Sequence, residues 1–215
     1  PGNTFHYMRR SCGAAFTAAR KRCVIGVTGG ICSGKSAISA MLRKGGAKVI
    51  DADRVAHSVI APGKPAFEKL LKAFGKGILR KDGRINRRAL AAEAFYGGKE
   101  TALLNGITHP YIIKDIRGRL KEASGLIVLD AALLLETGLH RFVDHLVFVK
   151  APEALRLERA SRSRGMKKEL VARIISAQPS VMKAERLADF IIDNSGSLEQ
   201  TRRQVERLRR KVWRN

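Results

Sequence analysis

Gly29-Gly30-Ile31-Cys32-Ser33-Gly34-Lys35-Ser36 carries two glycines, a lysine and a hydroxyl in the spacing Gly-x4-Gly-Lys-Ser/Thr. This spacing suits the binding of a nucleotide's phosphates. Successive backbone N–H groups and the positive end of a following helix make a concave anion site. Gly29 and Gly34 allow the tight backbone and the close approach of phosphate. Lys35 reaches the β- and γ-phosphates, and the Ser36 hydroxyl is placed to ligate Mg2+. Gly30, Ile31, Cys32, Ser33, Gly34, Lys35 and Ser36 are the expected nucleotide-binding stretch, with Mg2+ as cofactor.

The acceptor side decides what such a loop is for. Asp51 and Asp53 follow a short apolar run and, in an extended segment, point the same way. One carboxylate then accepts the proton of an attacking hydroxyl and helps to organise Mg2+; Asp53 is the preferred one. Helix capping by either acid is the alternative. Asp130 ends another apolar run, where a Walker-B-type acid sits, and is expected to hold Mg2+ through water. Glu136 is either a supporting acid or a surface one. Arg156, Arg159, Arg162, Arg164, Lys167 and Lys168 form a second basic cluster. A closing arginine stabilises charge on a transferring phosphoryl group and excludes water, whereas a charge run also makes an ordinary solvated helix face. Arg159, with one of Arg162 or Arg164, is expected to serve the reaction. Arg87, Arg88, His109 and Lys114 are candidates for holding an anionic acceptor. His109-Pro110 predicts a helix break that turns the histidine into a cleft, against a structural role for it. Cys32, beside a helix N-terminus, reads as a small filler.

These side chains need a scaffold. Val24 to Thr28 reads as a buried strand before the loop, with Ile38, Met41 and Leu42 at helical spacing after it. Gly45-Gly46 ends that helix. Further strands are predicted at 47–50, 125–130, 146–149 and 190–193. Between 62 and 122 the texture turns helical, with Phe67, Leu70, Leu71 and Phe74 in register and Gly/Lys-rich punctuation at 75–83. A basic helical stretch covers 152–178. Ser197-Leu198-Glu199-Gln200 is a capping-box pattern opening a last helix, with Leu198, Val205, Leu208 and Val212 on one face. Alternating strands and helices imply a parallel sheet covered on both sides, with ligands outside the carboxyl ends of the strands.

The chain has 215 residues, 42 Lys+Arg against 19 Asp+Glu, and a net charge of +23. So basic a surface favours polyanions. The aromatic fraction of 6% and the lack of finger or RNP patterns argue against a specific nucleic-acid reader. No apolar run approaches a membrane span. Cys12, Cys23 and Cys32 form no disulfide or zinc framework, which fits a reducing cytoplasmic setting. Residues 1–22 hold Arg9, Arg10, Arg20, Lys21 and Arg22 and no acid. They read as a basic extension: an organelle transit peptide, or else a disordered, vector-derived or upstream-start segment.

Taken together, the motifs resemble the dephospho-coenzyme A kinase family over 23–212. They are Val27-Thr28-Gly29-Gly30-Ile31 with Ser33-Gly34-Lys35-Ser36, Val49-Ile50-Asp51-Ala52-Asp53, Arg87-Arg88-Ala89-Leu90 and His109-Pro110. Asp130 with Leu133-Leu134 and Glu136, Arg173-Ile174 with Ala177-Gln178, Ala188-Asp189 and Ile192-Asp193-Asn194 complete the set. The resemblance implies an α/β, three-layer P-loop NTPase core with a five-stranded parallel sheet. It further implies a core at 23–61 and 123–215, a helical acceptor domain at 62–122 and a short basic lid at about 156–168. It implies transfer of the ATP γ-phosphoryl to the 3′-hydroxyl of dephospho-CoA, the last step of coenzyme A synthesis. A monomer or weak homo-oligomer is expected. Asp53 is then the base, Lys35 and Ser36 serve ATP and Mg2+, Arg159 belongs to the lid, and Arg87, Arg88 and His109 fall in the acceptor domain. Cys32 and Ala37 stand where that family's loop usually has glycine and threonine, and Ala132 where proline is common. The residues alone leave two other readings: a kinase for another nucleotide or sugar alcohol, and a basic nucleic-acid-binding protein with a regulatory nucleotide site.

Overall fold

The computed structural model describes residues 22–95, 98–164, 171–172, 174–175 and 179–213. Almost the whole basic extension, Lys167 and Lys168, Arg173 and Ala177-Gln178 lie outside the described residues, as does the side chain of Arg164.

Five strands form one parallel sheet: β1 (Arg22–Thr28), β2 (Lys48–Asp51), β3 (Gly125–Asp130), β4 (His145–Lys150) and β5 (Phe190–Asp193). Their spatial order is β2-β3-β1-β4-β5. The five strands predicted from sequence are these five. Such strands are buried on both faces, and alternate side chains serve opposite cores. In β1, Val24 joins one core while Cys23, Ile25 and Val27 join the other. In β3, Ile127 and Leu129 face the first core, and Leu126 and Val128 the second. Acids close the amino ends of the sheet: the Asp144 and Asp189 carboxylates accept from the N–H groups of Val24 and Leu146, each at 2.8 Å.

Helices α1 (Lys35–Lys44) and α8 (Leu198–Val212) cover the second face through Ile38, Leu42, Val205 and Leu208. The capping box of α8 is present, with Ser197 Oγ accepting from Gln200 N–H and Gln200 Oε1 from Ser197 N–H. Its buried stripe differs from the expected one. Leu198 is 61% exposed, and Thr201 lies beside Val205 and Leu208 in the interior. Burial in α8 therefore begins at Thr201, about one turn into the helix.

The first face is covered by α2 (Ala52–Val59) and by the second half of α5 (Gly98–Glu122), through Val55, Val59, Ile112, Ile116 and Leu120. Here two expectations are corrected. Asp51-Ala52-Asp53 is not extended: the chain turns helical at Ala52, and the Asp51 carboxylate caps α2 by accepting from Arg54 N–H at 3.0 Å. An aspartate at a strand end is a strong cap, and Ala52, Val55 and Val59 supply the helical stripe. Nor does Pro110 break α5, which runs through it. One backbone hydrogen bond is lost there. The buried residues Thr108, Ile112, Ile116 and Leu120 continue one face across the proline, so packing outweighs local propensity.

Helices α3 (Pro65–Phe74) and α4 (Arg87–Phe95) pack with the first half of α5 around a separate core of Phe67, Leu70, Ile78, Ile85 and Leu90. The long α5 thus joins this helical layer to the sheet. Helices α6 (Glu153–Arg164) and α7 (Pro179–Leu187) lie between β4 and β5 in the chain. Among the described residues, no helix is long and apolar enough to cross a membrane.

Candidate active site

The phosphate loop leaves the carboxyl end of β1, the middle strand of the sheet. Lys35 Nζ donates to the carbonyls of Gly29 at 2.8 Å and Gly30 at 3.2 Å, so the ammonium is held within the curve of the loop. Gly34, with φ +99°, is the left-handed residue that turns the chain into α1. Cys32 also adopts positive φ, +56°. This is the small left-handed region that non-glycine residues enter at modest strain, so the loop keeps its turn without a glycine at 32.

Strand register brings the acids to the loop. Asp51 and Asp130 are side by side at the ends of β2 and β3, and Asp130 is also in register with Val27 of β1. Asp53, two residues after the cap in the first turn of α2, remains exposed. The three acids share a polar pocket of about 190 Å³ with Ile31, Cys32, Lys35, Ser36, Ala132 and Ile174. A larger groove of about 420 Å³ between β5 and α8 contains no acid and lies away from the phosphate loop. The chemistry therefore selects the smaller pocket.

Burial raises the Asp130 carboxyl above the usual carboxylate range; the negative charges of Asp51 and Asp53 add to the rise, while Ser39 and Lys35 oppose it. The donor set of Ser36, Asp130, Asp51 and Asp53 is all hard oxygen, the kind a divalent magnesium ion takes. Among the described residues, no three His, Cys, Asp or Glu side chains converge closely enough to hold a metal by themselves. Such an ion would keep waters and use phosphate oxygens.

The folded-state pKa of Asp130 is above its unfolded value. Its favourable contribution to stability is therefore complete below the unfolded value near 3.8 and is lost as pH rises through the folded one. Asp130→Asn should raise the melting temperature of the nucleotide-free protein at pH 7.5, and the gain should close as pH falls below about 4. Calorimetric scans across pH check this; a lower melting temperature at pH 7.5 would contradict the account.

Arg159 of α6 reaches the loop from the far side. Its guanidinium donates to the carbonyls of Asn194 at 2.9 Å and Ser33 at 3.5 Å. Arg162 instead pairs with Glu158 on an exposed face, a contact of small energetic weight. Arg87 and Arg88 begin α4, capped by Asn86 Oδ1, which accepts from Arg88 N–H at 3.1 Å. Both arginines are exposed. His57, not singled out from sequence, lies four residues after Asp53 on α2. Burial and the nearby Arg87 lower its pKa, while Asp53 and Asp51 oppose the shift. Arg87 and Asp53 thus act on one imidazole, which ties the α4 start to the pocket acids. The spacing Asp53-x3-His57 was the available signal. Burial also lowers the pKa of His109, with Glu136 opposing. A neutral imidazole is therefore favoured there over a cationic anchor.

A nucleotide-phosphate loop at the carboxyl end of a central parallel strand, with acids at the ends of the adjacent strand β3 and of β2 beyond it, defines a P-loop kinase. The sequence profile described as dephospho-CoA kinase matches residues 23–200. A protein called dephospho-CoA kinase from Carboxydothermus hydrogenoformans is 42% identical over 186 residues, covering 85% of this chain and 90% of the relative. The crystal structure of TT1252 from Thermus thermophilus superposes with TM-score 0.79 at 28% identity, covering 91% of this chain and all of that one. A dephospho-CoA kinase from Campylobacter jejuni shares the fold, with TM-score 0.59 at 24% identity over 89% of this chain and 97% of that one. The chain belongs to the dephospho-CoA kinase family.

Proposed function

We propose that this chain transfers the γ-phosphoryl group of Mg2+-ATP to the 3′-hydroxyl of dephospho-CoA, with Asp53 as the base. The observation that carries the reading is the single pocket in which Lys35 and Ser36 of the phosphate loop meet Asp51, Asp53 and Asp130. Its working parts follow from charge. The loop N–H groups and Lys35 hold the β- and γ-phosphates and offset the charge that spreads over the transferring group. Ser36 and Asp130 would hold Mg2+, which when bound would supply charge neutralisation across the phosphates. Asp53 accepts the proton of the attacking hydroxyl. As an exposed carboxylate on a capped helix it is free of the capping bond that occupies Asp51. The three carboxylates that share the pocket make it favourable to a cation.

Arg159 lies against the phosphate loop and serves the nucleotide side. Arg87 and Arg88, exposed at the start of α4, attract the anionic acceptor, and His109 lies on α5 of the same helical layer. The protein acts as a soluble cytoplasmic enzyme, a monomer or weak homo-oligomer, and needs no specific nucleic acid.

The experiment is ADP release from Mg2+-ATP with and without dephospho-CoA, with the product located by mass spectrometry and NMR. Acceptor-dependent turnover with phosphate on the 3′-hydroxyl is the expected result. Turnover with an ordinary nucleoside monophosphate or a sugar alcohol, and none with dephospho-CoA, would overturn the acceptor assignment.

A further inference from the structure

We propose that Asn194, just beyond β5, is a positioning residue that sets the Ser33–Gly34 peptide of the phosphate loop for nucleotide binding. The proposal rests on the reading of that loop as the ATP site. Asn194 is 8% exposed, and its N–H donates to the Lys150 carbonyl at 2.8 Å, extending the β4–β5 ladder by one residue. Its backbone is thereby anchored to the sheet. Its side-chain amide donates to the Ser33 carbonyl at 2.8 Å, and its Oδ1 accepts from Thr201 Oγ1 at 2.9 Å. A carbonyl can only accept, so the amide orientation follows from the chemistry of its two neighbours. Thr201 is fully buried in α8. The loop after β1 is thus tied through one side chain to β5 and α8, across 161 positions of sequence.

The tie has a directional consequence. In a trans peptide the C=O and the next N–H point in opposite directions. Holding the Ser33 carbonyl on Asn194 turns the Gly34 N–H away from Asn194. A phosphate cradle is made of such aligned N–H groups. Gly34 is matched to this contact, because a Cβ there would lie 2.0 Å from Asn194 Nδ2. Arg159 reinforces the same point by donating to both the Ser33 and Asn194 carbonyls.

The test compares Asn194→Ala with Thr201→Val. In Asn194→Ala, Arg159 still reaches the Ser33 carbonyl, and the Thr201 hydroxyl still reaches the Ser197 carbonyl at 3.2 Å. No buried partner is left without a hydrogen bond, so the variant folds. Thr201→Val disturbs the same buried corner but keeps the Asn194–Ser33 bond. For Asn194→Ala, the KM for ATP and the calorimetric Kd for ADP should rise roughly tenfold, the weight of a lost buried hydrogen bond. The KM for dephospho-CoA should stay within about twofold. Thr201→Val should lower the melting temperature comparably and leave ADP affinity within about threefold. Unchanged ADP affinity in Asn194→Ala would overturn the proposal. So would equal losses of affinity in both variants, which would make the corner merely structural. If the unaltered chain binds ADP but does not phosphorylate dephospho-CoA, the functional reading fails, and ADP binding still decides the role of Asn194.

Discussion

Lys35→Ala should lower kcat/KM for ATP by about two to three orders of magnitude, the range for removing a charged donor aimed at the transition state. The ammonium sits inside the loop, bonded to the Gly29 and Gly30 carbonyls. A phosphate group bound within the loop would meet this ammonium. Two losses combine in the variant. The transferring group loses a cation in a partly enclosed pocket, and Asp130 loses the neighbouring charge that opposes its burial. Lys35→Arg should not rescue activity, because a planar fork cannot occupy the place of a compact ammonium between two loop carbonyls. Steady-state kinetics over a range of ATP concentrations, with calorimetric ADP binding, measure both effects. Activity within tenfold of the unaltered protein would remove Lys35 from the account.

The second large effect is expected at Asp53. Asp53→Asn should reduce kcat by about 10²–10⁴, the span attributed to a positioned general base, with little change in KM for either substrate. The side chain is exposed, so its replacement leaves the core intact. The loss of a negative charge from the first turn of α2 should weaken the helix by only about 0.3–1 kcal/mol. Asp51→Asn is the informative comparison. Asparagine caps as well as aspartate, so α2 persists while one of the three pocket charges disappears. A smaller loss of kcat is expected there than at Asp53. If the order is reversed, the proton goes to Asp51 and the assignment of the base is wrong.

Much of this was legible in the residues because their patterns are local. The five strands are short apolar runs bounded by turn residues, and both faces of the sheet are buried, so even continuous hydrophobicity was informative. The phosphate loop needs only eight consecutive residues, and hydrogen bonds from Lys35 to the loop's own carbonyls complete it. The capping box at Ser197 and Gln200 is likewise local, and it formed as read.

The misplaced details all depended on neighbours distant in sequence. Asp53 was expected on an extended segment and stands on a helix, because Val55 and Val59 have α5 and the sheet to pack against. Pro110 was expected to break a helix that packing on both sides of it preserves. Leu198 was expected inside and is exposed, while Thr201 occupies the interior beside Asn194.

The amino-acid sequence by itself determined the sheet, the phosphate loop and the identity of the acids near it. Backbone propensity, turn chemistry and side-chain period act within a few residues, and these elements answer to those forces alone. The tertiary structure decided which acids share one pocket and that Asn194 grips the loop from the other end of the chain. Those outcomes depend on strand register and on hydrogen bonds spanning more than a hundred residues, and no local preference specifies either.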